Sequence, residues 1–370
     1  MTARFLTQRC WCLVIVFGCL FNYPQIGFAQ TKRFVLRGDE TPRKYPDAPS
    51  LVADNGLAHL VVGVKNLDES LKLWVDALGF ELVARQKGPD AGLAKLWEMK
   101  ADEIQDQAVI GTLGIRTGRL HLVQFAHPLP AVRDNAQPTD LLPKNIDIAC
   151  KDMPVRYDEL LKSGQKFRSK FVSYPVKDHP GEPLQVNEVQ MFGTDGTSIM
   201  LIEIMQVSYP FSPKGFAGMT NFVPIVEDAA VEEKFYADVF GFPALTSHLL
   251  QGEEIEKMVG LPKGAQLDIR ILGVEENYFG RIEMVDYKGV ASVNKYPQAK
   301  PGALGVTHGT FFTSNIAEVK KRAEQAKARM IDHGTIKTIF GTAPALTVFT
   351  PAGLRLDVFA RSIVTSEIAR

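Results

Sequence analysis

The chain repeats itself at a nearly constant offset, and nothing else in it constrains the fold as strongly. Leu78-Gly79-Phe80 returns as Phe240-Gly241-Phe242, 162 positions later. Leu73-Trp74 returns as Phe235-Tyr236, Asp76 as Asp238 and Lys95 as Lys257, all at that same offset. Further on, Phe192 and Gly196 return as Phe349 and Gly353 at an offset of 157. A register that drifts so little over so long a span describes two copies of one domain. The 370 residues leave room for both.

Hydrophobic periodicity shows what each copy contains. Residues 58–64 are apolar with little interruption, as in a strand. Leu67, Leu71, Trp74, Val75 and Leu78 share one helical stripe. Asn66 or Asp68 can cap that helix, and Gly79 ends it. Strands are expected at 80–84, 108–113 and 120–125, giving the order β-α-β-β-β. The same order returns three times. A strand at 145–149, a helix at 155–163 and strands at 167–172, 186–192 and 198–204 make the second unit. The third has a strand at 221–226, a helix at 229–240 and strands at 267–272 and 280–285. The fourth has a strand at 306–313, a helix at 316–328 and strands at 330–332, 345–350 and 354–359. Pro210, Pro213 and Gly215 mark a linker at 207–217.

The N-terminus reads differently. Arg4 and Arg9 are the only charges before Lys32, and Trp11–Phe21 is uninterruptedly apolar. Gly27-Phe28-Ala29 offers small residues where a signal peptidase reads them. The expectation is a secretory signal over 1–29, cleaved before Gln30, and a periplasmic or secreted protein. The run is short for a membrane span of about 20 residues. An uncleaved anchor and lipid attachment at Cys19 are the alternatives, the latter disfavoured by bulky Phe17. Residues 30–56 form a polar, proline-containing arm. Cys10, Cys12 and Cys19 leave with the leader, so Cys150 remains alone and no internal disulfide can form. Its apolar surroundings suggest a buried, inert thiol. The mature chain carries 40 basic and 42 acidic residues, a balance with no basic excess for nucleic acid.

Two pieces carry a family likeness. One runs from Val226-Glu227-Asp228 through Lys234-Phe235-Tyr236 to Phe240-Gly241-Phe242, and the other is Thr350-Pro351-Ala352-Gly353-Leu354-Arg355-Leu356-Asp357. With four βαβββ units in two pairs, the chain resembles the vicinal oxygen chelate superfamily of glyoxalase I, extradiol dioxygenases, methylmalonyl-CoA epimerase and the fosfomycin and bleomycin resistance proteins. The resemblance covers nearly all of residues 57–364. It implies an α+β fold of two tandem domains, 57–206 and 218–364, each a pair of units forming one cupped mixed sheet. It does not imply one reaction, since fold and chemistry separate freely.

The resemblance further implies metal ligands on the first and last strands of paired units. In the second domain those positions hold Asn221, Glu283, His308 and Asp357. Ile282 and Met284 flank Glu283, and Leu356 and Val358 flank Asp357, so each carboxylate can face the cup alone. Two carboxylates, an imidazole and an amide suit an octahedral divalent ion: manganese, iron, nickel, zinc or magnesium. The set is similar to that of some glyoxalase I enzymes, with asparagine for glutamine and aspartate for glutamate. Each change shortens the reach by a methylene. The first domain offers His59, His121, Asn145 and Met200, which reads as a degenerate copy. His127, His179, His248 and His333 fall in expected loops or turns, and Trp74 and Tyr236 in the core.

The implied activity is that of a metal-dependent lyase or isomerase working on a small oxygenated substrate through an enolate-type intermediate, with Glu283 as base. The alternative is a non-catalytic protein that binds or sequesters a small molecule. A ring-cleaving dioxygenase is the weaker third, since its iron wants two histidines and a carboxylate. Four units in one chain complete both cups, so a monomer suffices and a homodimer is compatible.

Overall fold

The structure is a computed structural model that describes residues 49–176, 184–274 and 276–361. The expected leader at 1–29, most of the arm at 30–56 and His179 lie outside the described residues.

The first unit comprises β1 (His59–Val64), α1 (Leu67–Leu71, continued by a wider π turn to Ala77), β2 (Glu81–Lys87), α2 (Ala91–Leu96), β3 (Ile104–Gly111) and β4 (Arg119–Phe125). A short β5 (Leu129–Ala131) follows. The second unit has β6 (Pro143–Cys150), α3 (Met153–Lys162), β7 (Lys166–Phe167), β8 (Val172–Val176), β9 (Leu184–Phe192) and β10 (Ser198–Ile204). The third has β11 (Phe216–Pro224), α4 (Ala229–Phe240), β12 (Ala244–Gln251), α5 (Glu253–Val259), β13 (Gln266–Leu272) and β14 (Arg281–Lys288). The fourth has β15 (Ala303–Thr313), α6 (Ile316–Gln325), β16 (Met330–Thr338), β17 (Gly341–Phe349) and β18 (Arg355–Ala360).

Local chemistry explains the helix ends. Asn66 Oδ1 accepts from the Glu69 N–H, Asp228 Oδ1 from Ala230 and Val231, and Asn315 Oδ1 from Glu318. Gly79 and Gly241 end their helices at φ of 77° and 62°, where a side chain would be strained. The repeated Lys95 and Lys257 fall in α2 and α5, two helices that periodicity did not reveal. Strand β12 was likewise unexpected, and the strand expected at 167–172 is split between β7 and β8.

The α+β class and two curled mixed sheets, each built from two βαβββ units, are present as expected. In each unit the last strand lies parallel beside the first: β1 with β4, β6 with β10, β11 with β14 and β15 with β18. Which units share a sheet is different from the expectation of pairing in chain order. One sheet runs β16-β17-β18-β15-β1-β4-β3-β2, joining the first unit to the fourth. The other runs β12-β13-β14-β11-β6-β10-β9-β7, joining the second to the third. The joints are antiparallel pairs of first strands, Leu60 opposite Gly309 and Ile146 opposite Phe222. Gly63 makes the first joint feasible: a Cβ there would lie 1.9 Å from the carbonyl oxygen of Ala303, which leads β15.

One large core serves both sheets. Leu60, Val62 and Leu122 of the first sheet belong to it, as do Ile146, Ile148 and Phe222 of the second. Trp74 and Tyr236 are buried in it, as their helical stripes predicted. Because strand side chains alternate, the residues between these core positions turn to the concave faces. Each sheet therefore presents its own hollow.

Candidate functional site

The hollow of the first and fourth units gathers His59, His121, His308 and Asp357. The pairing of β1 with β15 puts His59 opposite Thr310 and His308 opposite Val61, so the two imidazoles hold equivalent places. His121 and Asp357 are equivalent in the same sense, opposite Val61 and Thr310 from the flanking strands. All four side chains are buried.

Their polar atoms are largely spent on protein. Asp357 Oδ2 accepts from Trp97 Nε1–H at 2.8 Å and from His308 Nε2 at 3.0 Å. Its Oδ1 accepts from Thr347 Oγ1 and Arg355 Nε, each at 2.8 Å. The Arg355 guanidinium and His308 hold this carboxyl below the usual carboxylate range although burial opposes them. Burial lowers the basicity of His308, whose Nδ1 lies 2.9 Å from Thr307 Oγ1, a hydroxyl that also donates to Val61 O at 3.1 Å. His121 Nε2 meets Gln107 Oε1 at 2.8 Å. Nδ1 of His59 and Nδ1 of His121 are buried without a partner. Burial drives the basicity of both rings down, His121 to about 3. The space between these groups is filled: Phe340 stacks on His59 at 4.6 Å, and Trp97 meets His308 edge-on at 5.5 Å. An apolar cluster of Leu93, Leu96, Trp97, Phe340 and Phe359 continues the filling. Gly92 lets α2 sit there, since a Cβ would lie 1.9 Å from Lys337 O.

The hollow of the second and third units is open. It encloses a cavity of about 200 Å³. Its walls include Ile202, Leu250, Met258, Leu267 and Ile269, and its polar floor is formed by Asp147, Asn221 and Glu283. Asn221 lies opposite Asp147 across the β6–β11 joint. Its Nδ2 donates to Asp147 Oδ2 at 3.2 Å and to Glu283 Oε2 at 2.9 Å. The two carboxyl groups thus meet at one amide. Burial, followed by the charge of Glu283, pushes Asp147 well above the carboxylate range. Burial, followed by Glu188, pushes Glu283 up to about 7. Glu188 also lines the cavity and is raised to about 7 by burial, although it accepts a hydrogen bond from the Tyr174 hydroxyl.

The four residues expected to share one ion are therefore split. Asn221 and Glu283 meet in one hollow, and His308 and Asp357 meet in the other. The cause is the pairing of units, which puts the third and fourth into different sheets. The first-domain set is divided in the same way: His59 and His121 lie in the filled hollow, while Asn145 and Met200 line the cavity. Among the described residues no three histidine, cysteine, aspartate or glutamate side chains converge as a metal centre requires. In the filled hollow His308 and Asp357 are committed to Trp97, Arg355, Thr347, Thr307 and each other, and the open Nδ1 atoms of His59 and His121 belong to rings packed against Phe340. In the open one Asn221 turns N–H toward both carboxyls, where an ion would need its oxygen. The residues as arranged do not fit the expected divalent ion.

Asp147 and Glu188 escaped the sequence reading. Their signal was present as alternation: Asn145, Asp147 and Ala149 interleave with core Ile146 and Ile148, and Val186, Glu188 and Gln190 with core Val189 and Met191. The expected isolation of Glu283 holds, with Ile282 and Met284 in the core. His333, expected in a loop, lies on β16, where its Nε2 meets Thr347 Oγ1 at 3.0 Å. His248 lies on β12. His127 is exposed at a turn, and Cys150 is buried with its thiol pushed up by burial.

The sequence matches no protein-family profile and no curated protein. Solved structures do match. Glyoxalase I from Zea mays aligns over 83% of this chain and 92% of its own, at 16% identity and a TM-score of 0.56. A point variant of that enzyme aligns over 83% and 94%, at 15% identity and a TM-score of 0.57. A protein described as a dioxygenase from Bacillus subtilis aligns over 84% and 85%, at 10% identity and a TM-score of 0.51. At such identities the likeness is one of fold.

Proposed function

From the vicinal oxygen chelate fold that this chain has, we propose that it is an exported protein that binds a small molecule in the cavity of its second and third units. The observation that carries this reading is the open hollow: apolar walls end on a buried polar floor of Asp147, Asn221 and Glu283. Concave, mostly apolar sites with a few convergent polar groups are where small ligands bind. The filled hollow across the molecule offers no such room. Export rests on the N-terminal leader pattern alone.

A second reading adds catalysis of the lyase or isomerase kind. It is favoured by two carboxyls that meet at Asn221 and are both raised by burial. One of the pair in its protonated form can donate to a carbonyl oxygen while the other, ionised, takes a proton from the adjacent carbon. The product is an enol, with one proton gained at oxygen and one lost from carbon. A ring-cleaving oxygenase draws no such support, because its imidazoles lie in the filled hollow.

The test is binding of a neutral aromatic probe, 2-phenylethanol, followed by ligand-observed NMR. Saturable binding is expected, and Val223→Phe, which grows into the cavity, is expected to abolish it with the protein still folded. Binding indifferent to Val223→Phe, or no binding by this probe and by its charged analogues alike, overturns the proposal.

A further inference from the structure

The chemistry of this cavity selects for charge. Asp147, Glu188 and Glu283 all line it, and among the described residues none of them is ion-paired. Asp147 is 2% exposed, and its Oδ1 has no hydrogen-bond partner. Beside it Asn145 Oδ1, also buried and lining the cavity, is likewise unpartnered. Two acceptor atoms thus stand without a donor, and such groups are costly unless something supplies one.

The cations nearby do not answer the acids. Arg281 lines the cavity, but its Nε donates to Asn277 O at 2.8 Å and an Nη to Val274 O at 3.1 Å. Its guanidinium lies 4.8 Å from the centre of the Tyr278 ring. Lys144 sits against the hydroxyl of Tyr287, and burial holds its amine well below its ordinary basicity. Arg168 donates to Gln190 Oε1, and Arg133 to the carbonyls of Pro143 and Gln137. Four tyrosine rings, Tyr174, Tyr209, Tyr278 and Tyr287, line the remaining surface. Aromatic faces attract cations, and more strongly away from water.

Taking the cavity as the ligand site proposed above, we infer that its ligand is a lipophilic primary amine, bound as the ammonium. The ammonium has three donors for the carboxyl oxygens, which become acceptor-only once their proton has left, and for the Asn145 oxygen, and its carbon skeleton meets the aliphatic walls. A volume of about 200 Å³ holds on the order of ten non-hydrogen atoms at interior packing density. An anionic ligand would bring a further negative charge to three carboxyls. A neutral ligand brings fewer donors to these oxygens and no charge to favour the ionised acids. On binding, a proton that burial keeps on these acids leaves to solvent, and the ammonium takes its place.

The test compares three probes that share a phenylethyl skeleton, by calorimetry on the full mature protein at pH 7.5: 2-phenylethylamine, 2-phenylethanol and 3-phenylpropanoate. The amine is expected to bind at least tenfold more tightly than the alcohol, with the carboxylate weakest. Repeating the amine titration in buffers of different ionisation enthalpy is expected to show proton release. Asp147→Asn with Glu283→Gln is expected to erase the preference while the alcohol still binds. This wild-type comparison decides the matter even if that variant fails to fold. Alcohol binding equal to or tighter than amine binding, or the carboxylate binding best, overturns the inference and leaves the cavity reading standing. Absence of binding by all three overturns both.

Discussion

Trp97 and Asp357, 260 residues apart in the chain, are joined by a 2.8 Å hydrogen bond from indole N–H to carboxylate. The bond ties the end of α2 in the first unit to β18 in the fourth. With His308, Thr347 and Arg355 it surrounds a buried anion with four protein donors. Arg355 supplies the positive charge that an ion would have brought, and it also donates to Leu96 O at 2.7 Å. The hollow is thereby closed as a piece of core.

That closure predicts a stability signature. Asp357→Asn leaves Arg355 buried without its counter-charge and is expected to cost about 3–5 kcal/mol. Trp97→Phe removes one hydrogen bond to a charged acceptor and is expected to cost about 2 kcal/mol. Urea unfolding gives both numbers. Costs under about 0.5 kcal/mol for both would show that the network is not structural.

Metal content follows from the same geometry. Protein purified without a histidine tag and dialysed against chelator is expected to retain well under one equivalent of manganese, iron, nickel or zinc. Adding these ions is expected to leave the melting temperature unmoved. One tightly held equivalent, lost in His308→Ala or Glu283→Ala, would sink this reading and restore a metal centre.

The raised acids predict how stability changes with pH. The carboxyls of Glu188 and Glu283 move from an ordinary 4.5 to about 7 on folding. The unfolded chain then loses these protons first, so their contribution is full below about 4.5 and fades as pH climbs through about 7. His59 and His121 work the other way. Their lowered basicity contributes fully above the ordinary 6.5 and is lost as pH falls, for His121 through about 3. The two effects are separated by substitution. Glu283→Gln is expected to match the wild type near pH 4 and to exceed it by on the order of 3 kcal/mol near pH 8.5. A gap that does not change with pH would contradict the assignment.

The joint between the first and fourth units rests on glycine. Gly63→Ala puts a methyl 1.9 Å from Ala303 O, and Gly92→Ala puts one as close to Lys337 O. Neither obstacle is a flexible side chain. Each substitution is expected to cost about 3 kcal/mol, as overpacking does when backbone must move. Gly88→Ala is the comparison on space, since nothing lies within 4 Å of its Cβ site; its φ of 87° gives only the smaller backbone cost. Equal losses at all three positions would remove close approach as the cause.

Export is checked directly. Expressed with its N-terminus intact in a bacterial host, the protein is expected in the periplasm, beginning at Gln30. A product that keeps residues 1–29, or that carries lipid at Cys19, would replace the cleaved leader with an anchor.

The duplication, the βαβββ order and the helix ends could be read directly from the chain, because each depends on contacts between near neighbours. Asn66, Asp228, Gly79 and Gly241 act within a turn of their own positions. Alternation around Glu283 and Asp357 likewise foretold that both face inward. It did not say which hollow each would face. That was decided by which first strands pair, a choice between β1 with β15 and β6 with β11 on one side and pairing in chain order on the other. Such pairing joins residues up to some 250 positions apart and turns on close backbone approach at Gly63. The chain by itself thus determined four units and their polar inward faces. Only the tertiary structure separated Asn221 and Glu283 from His308 and Asp357, because a strand's pattern sets which side of the sheet a residue faces and leaves its partner strand open.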